Sequence, residues 1–477
     1  MIRFLRTSRN IVVRWPGDIR FWIILLFILR LYGITQPPLE TAHNWRQSTV
    51  NMVARNFLET DPDIFHPRID IAGEKSGITG MEFPLFNYLI YLLSLVFGYE
   101  HWYGRLINLI VSSIGAFFFY KTCRIFFKEK TVFNATLLLL FSIWLIYARK
   151  IMPDTFSASL VIMGVYFGLQ YLFSQKPVGY LIFYFTFATT GLLCKIPSII
   201  LLSVMVIPIF STRVHFRKKV HFVLINLLVV MPVFWWYYFW VPHLVEKYDF
   251  WYFFMGKNFY QGMQEIINRP LESAKKIYES AMKISGFVLF LWGLFVVFRK
   301  KNKTLISVFL LSFAVFLMFI FISGNSFTKH SYYMIPYVPF MALIAGYGLV
   351  HIKSKTFSLL LLAIVCIDGI ISQQHDFRIK DKHRQIENLE KHLDIYSDRN
   401  DLILINSNEN PTPMYFAHRK GWLVKNSDLM DEDKMAALHD KGARYIVVLK
   451  KAFGQAVELD QELLFKNDHY MIYRLER

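Results

Sequence analysis

Apolar runs of roughly the length that crosses a bilayer, about 20 residues, recur along this chain with short basic clusters between them. They occupy 21–34, 103–122, 131–149, 156–174, 178–194, 197–211, 219–241, 283–298, 304–323, 333–351 and 356–372. Inside a hydrocarbon core every backbone polar group must be bonded within the protein, so such segments are helices or strands of a closed barrel. Runs this long are helices. Composition agrees where it bears on the point. Only 18% of the 477 residues are charged, against about 25% in a soluble domain. A soluble chain of this length would also divide into two or three domains with polar surfaces.

The net charge is +18, from 53 Lys+Arg against 35 Asp+Glu. A nucleic-acid binder would spread such an excess over one exposed face. Here much of it sits in clusters between apolar runs, as expected of cytoplasmic loops, so no nucleic acid is expected as a partner. Cys123, Cys194 and Cys366 are odd in number, far apart and mostly in apolar segments. They suggest neither a disulfide framework nor a zinc site.

Charge also sets the topology. Arg3, Arg6, Arg9, Arg14 and Arg20 surround the start of the first run, and Gln36-Pro37-Pro38-Leu39-Glu40 follows it in place of a cleavage site. A retained first helix with a cytoplasmic start is expected. One further run, 84–98, is short. If it does not span, the clusters Lys121/Arg124/Lys128/Lys130, Lys176, Arg213/Arg217/Lys218/Lys219, Arg299/Lys300/Lys301/Lys303 and Lys353/Lys355 all fall on the cytoplasmic side. If it spans, all of them move outside and the rule fails. It is therefore read as a helix lying at the outer interface.

The expectation is an α-helical polytopic membrane protein with about eleven spans and a small C-terminal extracytoplasmic α/β domain. The membrane domain would cover 1–375, with 35–102 as its first outer loop, and the α/β domain 376–477. In the latter the pattern predicts a helix at 382–394, a strand from Leu402 to Asn406, a helix at 431–441 and strands from Arg444 to Leu449 and Tyr470 to Leu475. It has no glycine-rich phosphate loop, so no cofactor is assigned to it. The chain shows no repeat of the kind that marks many transporters.

Ionisable residues of the outer loops cluster at helix ends. In Glu40-Thr41-Ala42-His43-Asn44-Trp45-Arg46-Gln47, Glu40 and His43 are three apart and would share a face of a helix. A carboxylate there suits deprotonation of a hydroxyl, and Arg46 suits phosphate oxygens. The same segment also reads as a solvated capping loop with an interfacial tryptophan. Glu82 stands before the 84–98 helix, where a carboxylate favours the helix dipole. Asp154 follows Arg149 and Lys150 in a tight loop, and either a structural ion pair or a catalytic or metal role accounts for it. Lys195, between two spans, reads as a snorkelling cation. Tyr332 and Tyr333 fit an aromatic belt or the wall of a site. Carboxylates and cations thus recur on one side of the membrane, which is what a phosphate leaving group and an acceptor hydroxyl require.

In order, these segments resemble the GT-C glycosyltransferases, in the branch of protein O-mannosyltransferases and bacterial aminoarabinose transferases. Glu40 with His43-Asn44-Trp45-Arg46-Gln47 is similar to the family's first-loop acid segment, although the usual Asp-Glu pair is absent. Glu82-Phe83-Pro84-Leu85 resembles its Glu-Lys-Pro-Pro, with Phe83 in place of lysine. Tyr103-Gly104-Arg105-Leu106 resembles its Ala-Arg-Leu, and Arg149-Lys150 through Asp154 its second-loop motif. Leu193-Cys194-Lys195-Ile196-Pro197 resembles its Leu-Thr-Lys-Gly-Pro, and Tyr332-Tyr333-Met334-Ile335-Pro336 its late Arg-Tyr-Tyr-Leu-Pro. The matches span residues 20 to about 350.

The resemblance implies an inverting transferase in a bacterial inner membrane, using a polyprenyl-phosphate-linked sugar and a glycan, lipid or protein acceptor outside the cytoplasm. Glu40, or His43, would be the base, with Asp154 orienting a cation, a metal or the acceptor. Arg46, Glu82, Lys150, Lys195, Tyr332 and Tyr333 would bind the donor. A divalent cation is left open, because two separated carboxylates do not define a coordination sphere. The competing readings are a lipid-saccharide flippase, which predicts charges at span centres, and a non-catalytic subunit of a glycan-assembly complex.

Overall fold

The computed structural model describes residues 15–174, 177–250 and 256–476. The basic residues Arg3, Arg6, Arg9 and Arg14, and Lys176, on which the topology partly rests, lie outside the described residues.

Every apolar run carries helix. The principal helices are α1 (Ile19–Arg30), α2 (Asn44–Glu59), α3 (Leu85–Phe97), α4 (Tyr103–Cys123), α5 (Glu129–Leu140), α6 (Pro153–Phe173), α7 (Gly179–Cys194) and α8 (Phe216–Trp235). After them come α9 (Lys283–Arg299), α10 (Lys303–Ser323), α11 (Val338–Val350) and α12 (Lys355–Ser372). Among the described residues five helices are long and apolar enough to cross a membrane alone: α4, α6, the continuous helix Phe216–Tyr248, α10 and α12. The bent pair Pro270–Ser280 and Lys283–Arg299 makes a sixth if counted as one span. Length alone therefore does not reach the expected eleven. Several runs are short or interrupted, as where α5 stops and Ser142 caps the separate turn Ile143–Tyr147. The chain is an integral membrane protein.

α6 is buried on nearly all sides, which marks it as the centre of the bundle. Small residues let its neighbours approach closely, the usual means of helix association where lipid removes the hydrophobic drive. A Cβ added at Gly115 of α4 would lie 2.4 Å from Ser159 of α6, and one at Gly191 of α7 would lie 2.6 Å from Val161. α3 has 13 residues and is therefore about 20 Å long, short of the roughly 30 Å hydrocarbon core. It buries Phe86, Asn87, Ile90 and Ser94, and exposes Leu92, Leu95, Val96 and Phe97. That amphipathic division suits a helix lying along the outer interface.

The C-terminal part forms a five-stranded sheet. Its strands are β1 (Leu402–Ile405), β2 (Lys420–Leu423), β3 (Ala443–Leu449), β4 (Leu463–Lys466) and β5 (Tyr470–Arg474), in the order β2-β1-β3-β5-β4. β2, β1 and β3 are parallel, while β5 and β4 run antiparallel. Parallel neighbours need helical crossovers, supplied by α13 (Thr412–Ala417) and, between β2 and β3, by a segment that includes α14 (Glu432–Asp440). The sheet unit and the segment after α2 interlock. Gly73 N donates to Gly421 O at 2.8 Å and Gly421 N donates to Asp70 O at 2.9 Å, so the loop covers the free edge of β2. Leu39 and Met52 are buried in the same core as Ile386, Leu389, Ile403 and Ile472.

α13 lies along α2. Thr412 Oγ1 donates to Asn44 Oδ1 at 3.4 Å, and Asn51 Nδ2 donates to Tyr415 Oη at 3.4 Å. Arg55 Nη1 donates to Tyr415 O at 3.1 Å. Further out, His418 sits between Glu59, at 2.7 Å, and Glu390, at 2.8 Å. One helix therefore links the membrane-side loop to the sheet.

Candidate functional site

The loop between α1 and α2 turns sharply before α2. Glu40 is buried, paired with Arg105 of α4, and its other oxygen accepts from Gln47 Nε2 at 3.1 Å. Arg105 also donates to the carbonyls of Ile34, Gln36 and Pro37. Glu40 and Arg105 thereby fix the entry of the loop. Glu40 and His43 do not share a helical face: α2 begins at Asn44, and His43 precedes it in the left-handed region at φ 66°. That conformation is uncommon for a residue with a Cβ. His43 Nε2 lies 2.8 Å from Tyr147 Oη, which is 2.7 Å from Ser331 Oγ.

One turn into α2 the main charges meet. Arg46 pairs with Glu82, both buried. Lys195 Nζ lies 4.0 Å from the same Glu82 Oε1. Asp154, in the first turn of α6, is also buried, and the cations that act on it are Lys195 and Arg46. Glu82 Oε2 and Asp154 Oδ2 are buried without a hydrogen-bond partner among the described residues. Buried polar atoms are nearly always satisfied. Two open carboxylate oxygens beside two cations mark a place built to receive a polar group.

Glu82 is not a helix cap: α3 starts at Leu85 with no side-chain cap, and the carboxylate is spent on Arg46 instead. Lys195 does not snorkel. Its side chain is 11% exposed and its ammonium stands 5.5 Å from the centre of the Tyr332 ring. Burial lowers its pKa to about 8, with Asp154 opposing the shift and Arg46 adding to it. Tyr332 turns inward rather than joining an aromatic belt. It stacks on His330 at 5.0 Å and meets Tyr333 at 4.6 Å and His43 at 5.7 Å. Burial, reinforced by Lys195 and its neighbours, holds His330 at about 4, so its ring is neutral at pH 7. Burial likewise raises both tyrosines above the ordinary phenol value.

The structure thus brings together His43, Arg46, Glu82, Asp154, Lys195, Tyr332 and, at the edge, Tyr333. It sets Glu40 and Lys150 in a supporting layer. Lys150 Nζ donates to Ala42 O at 3.2 Å, and Arg149 Nη2 donates to Tyr32 O at 2.6 Å. Sequence reasoning missed Asn108 and Tyr147 as contributors and gave Gln47 and His330 no role of their own. Asn108 Nδ2 donates to the carbonyls of Tyr147, Lys150 and Met152 and so shapes the loop before Asp154. An asparagine inside an apolar run was the available signal, since a buried amide demands partners. An apolar cavity of about 120 Å³, lined by Cys123, Phe127, Val165, Leu169 and Leu343 among others, lies toward the opposite ends of α4 and α6.

Several solved structures share this fold. ArnT from Cupriavidus metallidurans is similar over 96% of this chain and 98% of its own, with 12% identity and a TM-score of 0.64. The archaeal oligosaccharyltransferase AglB from Archaeoglobus fulgidus, in complex with an inhibitory peptide and a dolichol-phosphate, is similar over 90% of this chain and 69% of its own, with 11% identity and a TM-score of 0.55. The arabinofuranosyltransferase AftD from Mycobacteria is similar over 96% and 40%, with 10% identity and a TM-score of 0.58. Residues 81–236 match the profile of the family described as dolichyl-phosphate-mannose-protein mannosyltransferase. That segment carries Glu82, Asp154 and Lys195. No curated protein sequence matches the chain.

Proposed function

We propose that this protein transfers a sugar from a polyprenyl-phosphate carrier to a hydroxyl acceptor at the outer face of a bacterial inner membrane, with inversion and with its amino terminus in the cytoplasm. The observation that carries the reading is the buried meeting of Arg46 and Lys195 with the open carboxylate oxygens of Glu82 and Asp154 at outer helix ends. ArnT has also been seen bound to undecaprenyl phosphate, in a structure similar over 95% of this chain and 98% of its own, with 12% identity and a TM-score of 0.59.

Arg46 and Lys195 hold the carrier phosphate and take up the charge that develops as it leaves. Glu82 orients Arg46. The acceptor hydroxyl attacks the anomeric carbon from the face opposite the phosphate. The carbon–oxygen bond to phosphate breaks, its electron pair stays with the phosphate, and the acceptor proton passes to a carboxylate. The geometry favours Asp154 as that base over Glu40, because Arg105 and Gln47 already engage both oxygens of Glu40. His43, bonded to Tyr147, and the ring of Tyr332 wall the sugar side; Tyr333 and Lys150 support that wall and the loop. A divalent cation would find Glu82 and Asp154 as donors, but no group of three His, Cys, Asp or Glu side chains among the described residues has a metal-holding arrangement. Arg46 and Lys195 are assigned to the phosphate because both stand at Glu82.

The test is transfer from a polyprenyl-phosphate-linked sugar by the purified chain in vesicles. Asp154→Asn is expected to lose about 10²-fold or more of the rate, the scale of a general base. Full transfer by both Asp154→Asn and Lys195→Met would overturn the reading.

A further inference from the structure

Glu82 and Lys195 lie on short stretches that no regular element holds. Glu82 precedes the uncapped start of α3, and Lys195 follows α7 in extended backbone. One turn of another helix grips both. Between α8 and the helical segment Val241–Tyr248, residues Trp236–Trp240 form a π-turn, a wide turn found often at functional sites. Trp236 Nε1 donates to Met81 O at 2.9 Å, beside Glu82. Tyr237 Oη donates to Leu193 O at 2.8 Å, two residues before Lys195. Phe83 N donates to that same Leu193 carbonyl at 3.0 Å and so ties the two stretches together.

Packing adds to these bonds. The Trp236 ring meets Phe83 edge-on at 4.9 Å. Farther along the helix, Val241 and Val245 close on Gly80, where an added Cβ would lie 2.7 Å from Val241 Cγ1. Trp236 is 1% exposed and Tyr237 7%, whereas Tyr238 is 67% exposed. The inward pair therefore carries two polar groups, and both end on carbonyls of the site's own loops.

We propose that Trp236 and Tyr237 are positioning residues that hold Glu82 and Lys195 within ion-pair reach of each other, and so set the seat of the carrier phosphate. This rests on the transferase reading above. Neither residue touches the reacting atoms. Without the bond to Leu193 O, the flexible lysine stem swings toward water and the cation is no longer aimed at Glu82. The groups that face its ammonium include Arg46, Glu82, Asp154, His330 and Tyr332. Leaving them for water returns Lys195 from about 8 toward its ordinary 10.5.

The experiment uses the full chain in detergent micelles as wild type, Tyr237→Phe, Trp236→Phe and the exposed control Tyr238→Phe. Two quantities are followed from pH 6 to 10: the rate at which an N-hydroxysuccinimide ester acylates Lys195, read by mass spectrometry, and the affinity for radiolabelled undecaprenyl phosphate. In the wild type and Tyr238→Phe, acylation is expected to be slow and carrier binding to weaken above about pH 8. Tyr237→Phe is expected to acylate Lys195 about tenfold faster at the highest pH, where the accessibility of the free amine governs the rate, and to bind the carrier about tenfold more weakly at pH 7, the loss expected for about one hydrogen bond. Its alkaline limb should move upward. Trp236→Phe should follow it less strongly. A general loss of packing would lower binding without moving that limb. Wild-type acylation and a wild-type limb in both variants would overturn the positioning role. Failure of the wild type itself to bind undecaprenyl phosphate would instead overturn the transferase reading, while the acylation rates still judge the positioning.

Discussion

The two ends of α2 are both buried and both charged, yet they are finished differently. At the outer end Arg55 meets Asp70 at 3.0 Å and the carbonyl of Tyr415, and Tyr415 Oη is shared by Tyr99 at 2.8 Å and His101 at 2.5 Å. At the membrane end Arg46 and Lys195 face carboxylates with oxygens left open. Around Arg55 and Tyr415 only Asn51 Oδ1 lacks a partner among the described residues, the charged groups are paired, and such a network specifies one arrangement and resists change. An unsaturated one stores capacity for a ligand. The contrast separates the part of α2 that holds from the part that acts.

Substitutions should sort along the same line. The largest effect is expected for Asp154→Asn, with about 10²-fold or more lost from transfer and a melting temperature close to wild type. A stable protein with full activity would erase the distinction. Next, Glu40→Gln strips the partner from buried Arg105 and should destabilise the fold by about 3–5 kcal/mol, seen as a lower melting temperature in detergent. If Glu40→Gln melts normally but transfers nothing, Glu40 belongs to the acting part and Asp154 loses its assignment. Lys195→Met should raise the donor KM by about 10- to 100-fold, the worth of a charge-assisted hydrogen bond, with a smaller change in kcat. Tyr415→Phe, at the outer end, should cost about 1–2 kcal/mol of stability and leave donor KM unchanged.

The smallest effect is one of pH. Burial pulls the pKa of His418 down, but its hydrogen bonds to Glu390 and Glu59 raise it above the ordinary value overall. Glu390 is held at about 2, because the bonds from His418 and Arg399 outweigh its burial. A raised histidine stabilises the docked state fully below its unfolded pKa, and that contribution fades as pH rises through the folded pKa. The partners are part-exposed, so the effect stays under about 1 kcal/mol. His418→Gln should therefore flatten the pH dependence of the melting temperature above the ordinary histidine value of 6.5. An unchanged slope would show that the outer end does not depend on this charge.

Much of this was legible beforehand for physical reasons. Long apolar runs and the placement of Lys and Arg fix a membrane bundle, because both answer to the bilayer itself. Residues such as Arg46, Asp154 and Lys195 stand out because a charge at a helix end in an apolar chain needs a partner. What escaped was relational. β2 and β4 are four-residue edge strands, too short and too exposed to show a period, and α13 is buried on all sides and so lacks an amphipathic pattern. The separate duties of Glu40 and His43 depend on one left-handed residue before α2, which spacing along a helix does not reveal. Trp236 and Tyr237 look like ordinary interfacial aromatics until their hydrogen bonds to the carbonyls of Met81 and Leu193 are seen.

The hydrogen bonds between residues 70–73 and Gly421 have a consequence for the order of assembly. Ribosomes make the early loop some 350 residues before the strand edge that it covers. During synthesis that loop waits without its partner, open to proteases and to other exposed strands. Leu39 and Met52 wait as well, since the hydrophobic core that encloses them comes from the final hundred residues. A chain truncated before residue 400 would insert its helices and still leave the first loop unclosed, so the last part made sets when the first becomes usable.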